Sequence, residues 1–332
     1  KTESFDNMNI ITTIVGSYPT RSFRAESFNE KVTQTLGLYD PYKQAIKNTV
    51  TSFVNKDIDI ICDGQVRGDM VQIFARKING LKIIENTTHI IGKITPAAHP
   101  ISIRDLQLAY KTAKALNPQY ELNAPLDGIF KHEMKGIKGI ITGPTTLVHS
   151  SIIDNFYTSK ENAIYDMARA LSIEAQAIEK FGACALQIDE PFISTGAEDI
   201  EVSRKAIEII VDSVDIPVIL HVCGDLEHVL GDLLKFNVDV LDFEFSGMKQ
   251  NIDHLENKWT SDCNKLLGIG CVNTKLKSVD KKENVHKTIK DVLSITKSSN
   301  IILDPDCGMR MLDKDIADEK LDILKYFREN GV

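Results

Sequence analysis

No apolar run in this 332-residue chain is long enough to cross a bilayer, so nothing in it reads as a helical membrane protein. There is no excess of positive charge either. The formal net charge is -8, and a dedicated nucleic-acid binder needs a basic face to replace phosphate counterions. Low-complexity segments are missing, no repeat longer than a strand-helix alternation is visible, and the start from Lys1 to Met8 is polar rather than signal-like, so a cytoplasmic address is expected. The six cysteines form no compact, regularly spaced framework, which favours reduced thiols over disulfides. Cys62, Cys184 and Cys271 lie inside apolar runs and read as small core residues; Cys263 reads as an inert surface-loop thiol. What remains, with 42% hydrophobic and 26% charged residues, is an ordinary globular composition with enough apolar material for one large core.

Eight β-branched apolar runs punctuate the chain at 10–15, 58–62, 139–142, 185–188, 218–222, 238–243, 266–272 and 300–303. They are nearly continuous rather than alternating, as expected of strands in a parallel sheet covered on both faces. Between them, amphipathic stretches at 42–55, 103–116, 159–181, 199–213, 226–236 and 281–298 carry apolar residues at helical spacing. The alternation predicts an α/β fold, a (β/α)8 TIM barrel, with residues 1–332 as a single catalytic domain and 1–9 as an N-terminal tail. Two stretches break the rhythm. Residues 81–94 hold two β-rich runs around Asn86-Thr87-Thr88 and predict a β-hairpin inserted after the second strand, while 117–133 reads as a loop.

In such a barrel the chemistry sits at the C-terminal ends of the strands. The run Ile219-Leu220-His221-Val222-Cys223-Gly224 ends in two soft-metal ligands one residue apart, which a strand points to the same side. Alone, that spacing suits equally a core strand with a satisfied histidine and a buried thiol. Val240-Leu241-Asp242-Phe243-Glu244 brings a carboxylate to the next rim position, and Asp304-Pro305-Asp306-Cys307-Gly308 a second thiol. The other rim positions add Gly16-Ser17, Asp63-Gly64-Gln65, Gly143-Pro144, Asp189-Glu190-Pro191, and Asn273 with Lys275. His149, His228, His254 and His286 read as helix or loop residues; Arg67 and Arg310, beside the rim motifs, suit either an anionic ligand group or a structural ion pair.

Six of these segments, in order, resemble signatures of the cobalamin-independent methionine synthases: Thr12 to Pro19, Asp63 to Val71, Ile141 to Thr146, Gln187 to Pro191, His221 to Gly224 and Asp304 to Gly308. The resemblance spans nearly the whole chain and is to the catalytic barrel alone, as in the short core form known from archaea and some bacteria. It implies a zinc ion held by His221, Cys223, Glu244 and Cys307, and methyl transfer to the sulfur of L-homocysteine, giving methionine. Zinc accepts such mixed N, S and O ligation, and a catalytic site keeps one exchangeable position. A structural zinc knot is the plainer alternative. The resemblance further implies that Asp189 meets the homocysteine ammonium, with Val15, Gly16 and Ser17 receiving the carboxylate; Asp189 could instead cap the following loop. Asp63 and Gln65 lie where the family carries an acidic substrate contact, although Val66 stands at the matching position.

The departures from the family pattern cluster on the methyl-donor side. Ser150 stands where the folate-using enzymes carry a tryptophan, Thr195 where they carry an acid, and Asn273 and Lys275 where they carry an aspartate and the proton-donating histidine. A folate amine leaves poorly unprotonated, whereas a methyl-cobalt corrinoid leaves without a proton, so methylcobalamin or a corrinoid protein is the expected donor and methyl-tetrahydrofolate the lesser one. Two other readings stay open: a related alkyltransferase acting on another thiol such as coenzyme M, and a non-catalytic zinc-dependent protein that docks a corrinoid partner.

Overall fold

The computed structural model describes residues 8–260 and 263–332; the rest of the expected N-terminal tail, apart from Met8 and Asn9, and Ser261-Asp262 beside Cys263 lie outside the described residues. Along the chain the strands are β1 (Asn9–Thr12), β2 (Ile60–Ile61), β3 (Asn79–Ile84), β4 (Thr87–Thr95), β5 (Gly136–Thr142), β6 (Ser151–Ile153), β7 (Ala185–Asp189), β8 (Val218–Val222), β9 (Val240–Glu244), β10 (Leu266–Val272) and β11 (Asn300–Pro305). Eight of them, all parallel, follow one another round a barrel in the order β1-β11-β10-β9-β8-β7-β5-β2. Helices cover the outside. The predicted TIM barrel is the observed fold.

Closure between β1 and β2 rests on little backbone pairing. A single parallel bridge joins Thr13 to Ile60, where the Thr13 hydroxyl donates to the Ile60 carbonyl at 2.8 Å. A buried ionic knot reinforces it. The Asp59 carboxylate accepts from the Thr12 amide at 2.9 Å, from Lys135 Nζ at 2.7 Å and from Arg328 Nε at 2.8 Å, tying the first strands to the last helix, Lys314–Asn330.

Inside the barrel the side chains fall into tiers set by the two-residue period of a strand. Ile11, Ala185, Ile219, Val240 and Ile302 form an apolar floor. Two residues further along the same strands stand Thr13, Gln187, His221, Asp242 and Asp304, all buried and polar. Two further still come Val15, Asp189, Cys223, Glu244 and Asp306, at the mouth. The outward positions between them, such as Leu220, Val222, Leu241 and Phe243, pack under the helices in the main core. Strand interiors expected to be apolar on both faces are therefore apolar on the outer face and increasingly polar on the inner one.

The insertion after β2 is larger than a hairpin. β3 and β4 pair antiparallel around Glu85-Asn86, both with positive φ as a tight two-residue turn requires, and β6 adds a third strand alongside β4. The expected helix at 226–236 shrinks to Leu230–Leu233, because successive i to i+3 bonds such as Val229 to Leu226 and Asp232 to Val229 tighten the rest into turns. The 117–133 segment, expected as a loop, carries a short helix at Leu126–Phe130, and helices at Phe28–Thr35, Gln250–Lys258 and Lys314–Asn330 add to those predicted.

Candidate active site

β8 delivers His221 and Cys223 to the barrel mouth, and the turn after β11 delivers Cys307. The imidazole nitrogen and the two sulfurs all lie within 4.8 Å of one another, although the strands that carry them are separated by β9 and β10. β8 and β9 adjoin, and β10 intervenes before β11. Cys307 comes close because Gly308 has no side chain, since a Cβ there would stand 2.2 Å from Ser17 Oγ.

His221 is set up as a ligand by its other nitrogen. Its Nδ1 lies 2.7 Å from Asp242 Oδ2, while Nε2 is buried without a hydrogen-bond partner and is the nitrogen left for a cation that displaces its proton. The thiols are polarised as a pair. The Cys223 group beside it, with the His221 imidazole, pulls Cys307 below the usual thiol range, while the same contact with Cys307 and burial push Cys223 up. A bare imidazole nitrogen and two sulfurs, one readily deprotonated, form a donor set that fits a soft or borderline cation.

Glu244 stands apart from that trio. Its Oε1 lies 2.5 Å from Lys275 Nζ, and its Oε2 accepts from the Gly224 amide at 3.2 Å. Asp306, beside Cys307 at the rim, shapes this corner by accepting the amides of Phe245, Ser246 and Gly247 at 3.2, 2.9 and 2.6 Å. Asn273 Oδ1 accepts from the Lys275 amide at 2.9 Å and so braces the lysine's loop.

Beside the trio lies a cavity of about 240 Å³. Val15, Ser17, Gln65, Asp189, His221, Cys223 and Cys307 line it, so most of the predicted site converges there. Asp63 does not; it lines an adjoining cavity with Gln65 and Arg67. Gly16 packs directly on the Gln65 side chain. Asp189 is buried, accepts from Gln187 Nε2 at 2.6 Å, and is pushed up to about 6 by burial. Arg310 lines the cavity and donates to the Gln65 carbonyl, whereas Arg67 is an ion-paired residue, forked onto Asp40 and Asp105.

Glu190, next to Asp189, has a structural task. Its carboxylate accepts the amides of Thr145 and Thr146, each at 2.8 Å, and caps the helix Pro144–His149, whose own N-cap is Gly143. A Cβ on Gly143 would fall 2.2 Å from the Glu190 carboxyl carbon. The Gly143-Pro144 and Asp189-Glu190-Pro191 segments are therefore two halves of one joint, which fixes the loop that carries Asp189.

Residues 10–327 match the family model described as the cobalamin-independent synthase catalytic domain. The chain is 44% identical to a methionine synthase of Methanothermobacter thermautotrophicus over 314 residues, covering 94% of this chain and 97% of that protein. It is 42% identical to one from Methanocaldococcus jannaschii over 94% of this chain and 96% of the relative. Among solved structures, a B12-independent methionine synthase from Shewanella sp. W3-18-1 in complex with selenomethionine superposes with a TM-score of 0.76 at 19% identity, over 96% of both chains, so the fold is shared. By family match and relatives together, the chain belongs to the cobalamin-independent methionine synthase family of methyltransferases, in its short core form.

Proposed function

We propose that this protein is a zinc-dependent methyltransferase that forms L-methionine from L-homocysteine, and that its methyl donor is a methylated corrinoid rather than methyl-tetrahydrofolate. The observation that carries the reading is the convergence of His221 Nε2, Cys223 and Cys307 beside buried Asp189 in one cavity. His221, Cys223 and Cys307 would hold the zinc, with Glu244 as fourth ligand once released from Lys275. Zinc supplies Lewis acidity that keeps the homocysteine sulfur deprotonated near neutral pH while leaving it nucleophilic.

The chain's own residues do the rest. Asp189, as a carboxylate, pairs with the substrate ammonium and orients its sulfur toward the trio, while the Val15-Gly16-Ser17 turn and Gln65 bound the other end of the amino acid. Asp242 holds the His221 ring by its Nδ1–H. In the transfer, a sulfur lone pair forms the S–CH3 bond as the bond from methyl to carrier breaks and its electron pair departs with the carrier.

The donor side supports a corrinoid. Phe, Tyr and Trp are missing from the cavity lining, the Thr195 hydroxyl is spent on the Phe192 carbonyl at 2.7 Å, and Lys275 faces a carboxylate rather than a leaving group. No described helix is long and apolar enough to cross a membrane, and all six cysteines are free thiols, in keeping with one cytoplasmic catalytic domain. The test is methionine formation by zinc-loaded protein with homocysteine and, in parallel, methylcobalamin or methyl-tetrahydrofolate, with and without chelator. Chelator-sensitive turnover with methylcobalamin is expected. Turnover with the folate alone would overturn the donor, and methylation of coenzyme M in place of homocysteine would overturn the acceptor.

A further inference from the structure

The inner wall of the barrel loses its side chains along β10. Leu267, Ile269 and Cys271 pack outward into the main core, so the inward positions are Gly268 and Gly270. Gly268 is the register partner of Asp242 on β9, and a Cβ there would stand 2.7 Å from Asp242 Oδ1. Gly270 is the partner of Asp304 on β11. The two acids therefore face each other over bare backbone, close enough for the Asp242 carboxylate to act on Asp304, although their strands are not neighbours.

Each acid has an oxygen left over. Asp242 Oδ2 is taken by His221 Nδ1 at 2.7 Å, but Asp242 Oδ1 and Asp304 Oδ1 are buried and make no hydrogen bond among the described residues. Buried polar atoms are nearly always satisfied, and two carboxyls at close range inside a protein do not both ionise. One proton between them answers both demands. Burial, then the Asp242 charge, hold the Asp304 carboxyl well above its ordinary range, against the opposing pull of the buried Lys138 ammonium and of His221. The proton thus stays on Asp304, and Asp242 remains the carboxylate that the imidazole needs.

We propose that Asp304 is a positioning residue for His221, its carboxyl O–H donating to Asp242 Oδ1 and so fixing the carboxylate that orients the imidazole toward Cys223 and Cys307. The inference rests on the zinc-site reading above. With both oxygens held, the Asp242 carboxylate does not turn about its Cβ–Cγ bond, and the ring it grips keeps Nε2 directed at the sulfurs. With Oδ1 free, a single contact is left to fix the ring. Outer partners of a ligating histidine alter metal affinity by about 10–100-fold, and Asp304 stands one link further out.

The test compares full-length wild type with Asp304→Asn, whose amide still donates to Asp242, and Asp304→Leu, which has no donor; Asp304→Ala takes the place of the leucine variant if that one does not fold. Zinc affinity is measured by competition with a colorimetric chelator, and the ligand set is read from the visible absorption of the cobalt(II)-loaded proteins. Asp304→Asn should bind zinc within about twofold of wild type and keep its cobalt bands. Asp304→Leu should bind about 10-fold more weakly and shift them. A merely structural carboxyl would change the melting temperature without moving either readout. Equal zinc affinity in all the proteins, or a loss in Asp304→Asn as large as in Asp304→Leu, would overturn the proposal while leaving the zinc site in place. Wild type that takes up neither metal would overturn the zinc reading, and this role with it.

Discussion

Lys275 Nζ and Glu244 Oε1 lie 2.5 Å apart, an ion pair between an exposed ammonium and a buried carboxylate at the edge of the thiol trio. The lysine competes for the carboxylate that the family pattern assigns to zinc. Lys275→Met leaves Glu244 buried without a counter-charge unless a cation takes it. The apo variant should therefore melt several degrees below wild type, and zinc should raise its melting temperature by more than it raises that of wild type. Equal zinc-induced shifts, measured by scanning calorimetry on both proteins, would remove Glu244 from the ligand set.

Cys307→Ser replaces a readily ionised sulfur by a hydroxyl. Bound zinc, counted by elemental analysis after dialysis, should fall below stoichiometric and methyl transfer should cease, whereas Cys263→Ser should leave both unchanged. Comparable losses from the two substitutions would mean that the site is misplaced.

Asp189→Asn removes the charge proposed to meet the substrate ammonium but keeps the side-chain shape. The homocysteine kcat/KM should drop by about 100-fold, mostly through KM, because a charge-assisted contact of about 2–3 kcal/mol is lost. Zinc content should not change. An unaltered KM would return Asp189 to a purely structural role.

Asp59→Asn breaks the knot that closes β1 on β2 and strands Lys135, which is buried, beside Arg328. The cost should be about 3–5 kcal/mol of unfolding free energy, read from urea midpoints. Burial alone would raise the Asp59 carboxyl, but the Lys135 ammonium and the Arg328 guanidinium outweigh it and hold the group below its ordinary range. The unfolded chain therefore takes up this proton first as pH falls, so the contribution is full above about pH 4 and is lost below it. The variant's stability should fall less steeply with acid than that of wild type.

Barrel class and the hairpin position were legible from sequence because each leaves a local mark, β-branched runs and a turn, and so was the nearness of His221 to Cys223, which stand two apart on one strand. The inner-face tiers were legible too, although the runs were read only for their apolarity. Stepping by two from Ile219, Val240 and Ile302 reaches His221, Asp242 and Asp304, and so would have exposed Asp242 as the support of His221. The final helix, with Ala317, Leu321, Leu324 and Phe327 buried at helical spacing, carried the same kind of signal. Other features are tertiary. The Glu190 cap on a helix 45 residues away and the Lys275 hold on Glu244 depend on which strand ends meet, and no local pattern reports that.

The pairing of β1 with β11 also sets the order in which this molecule can be built. Asn9 and Asn300 share a hydrogen bond across 291 residues of sequence, so β1 gains its partner β11 only after that whole stretch has emerged from the ribosome. At ordinary synthesis rates that wait is about 15–60 s. Through it, Ile10 and Ile11 stand on an open sheet edge, able to pair with another nascent chain, and the barrel becomes safe from such mispairing only after its last strand leaves the exit tunnel.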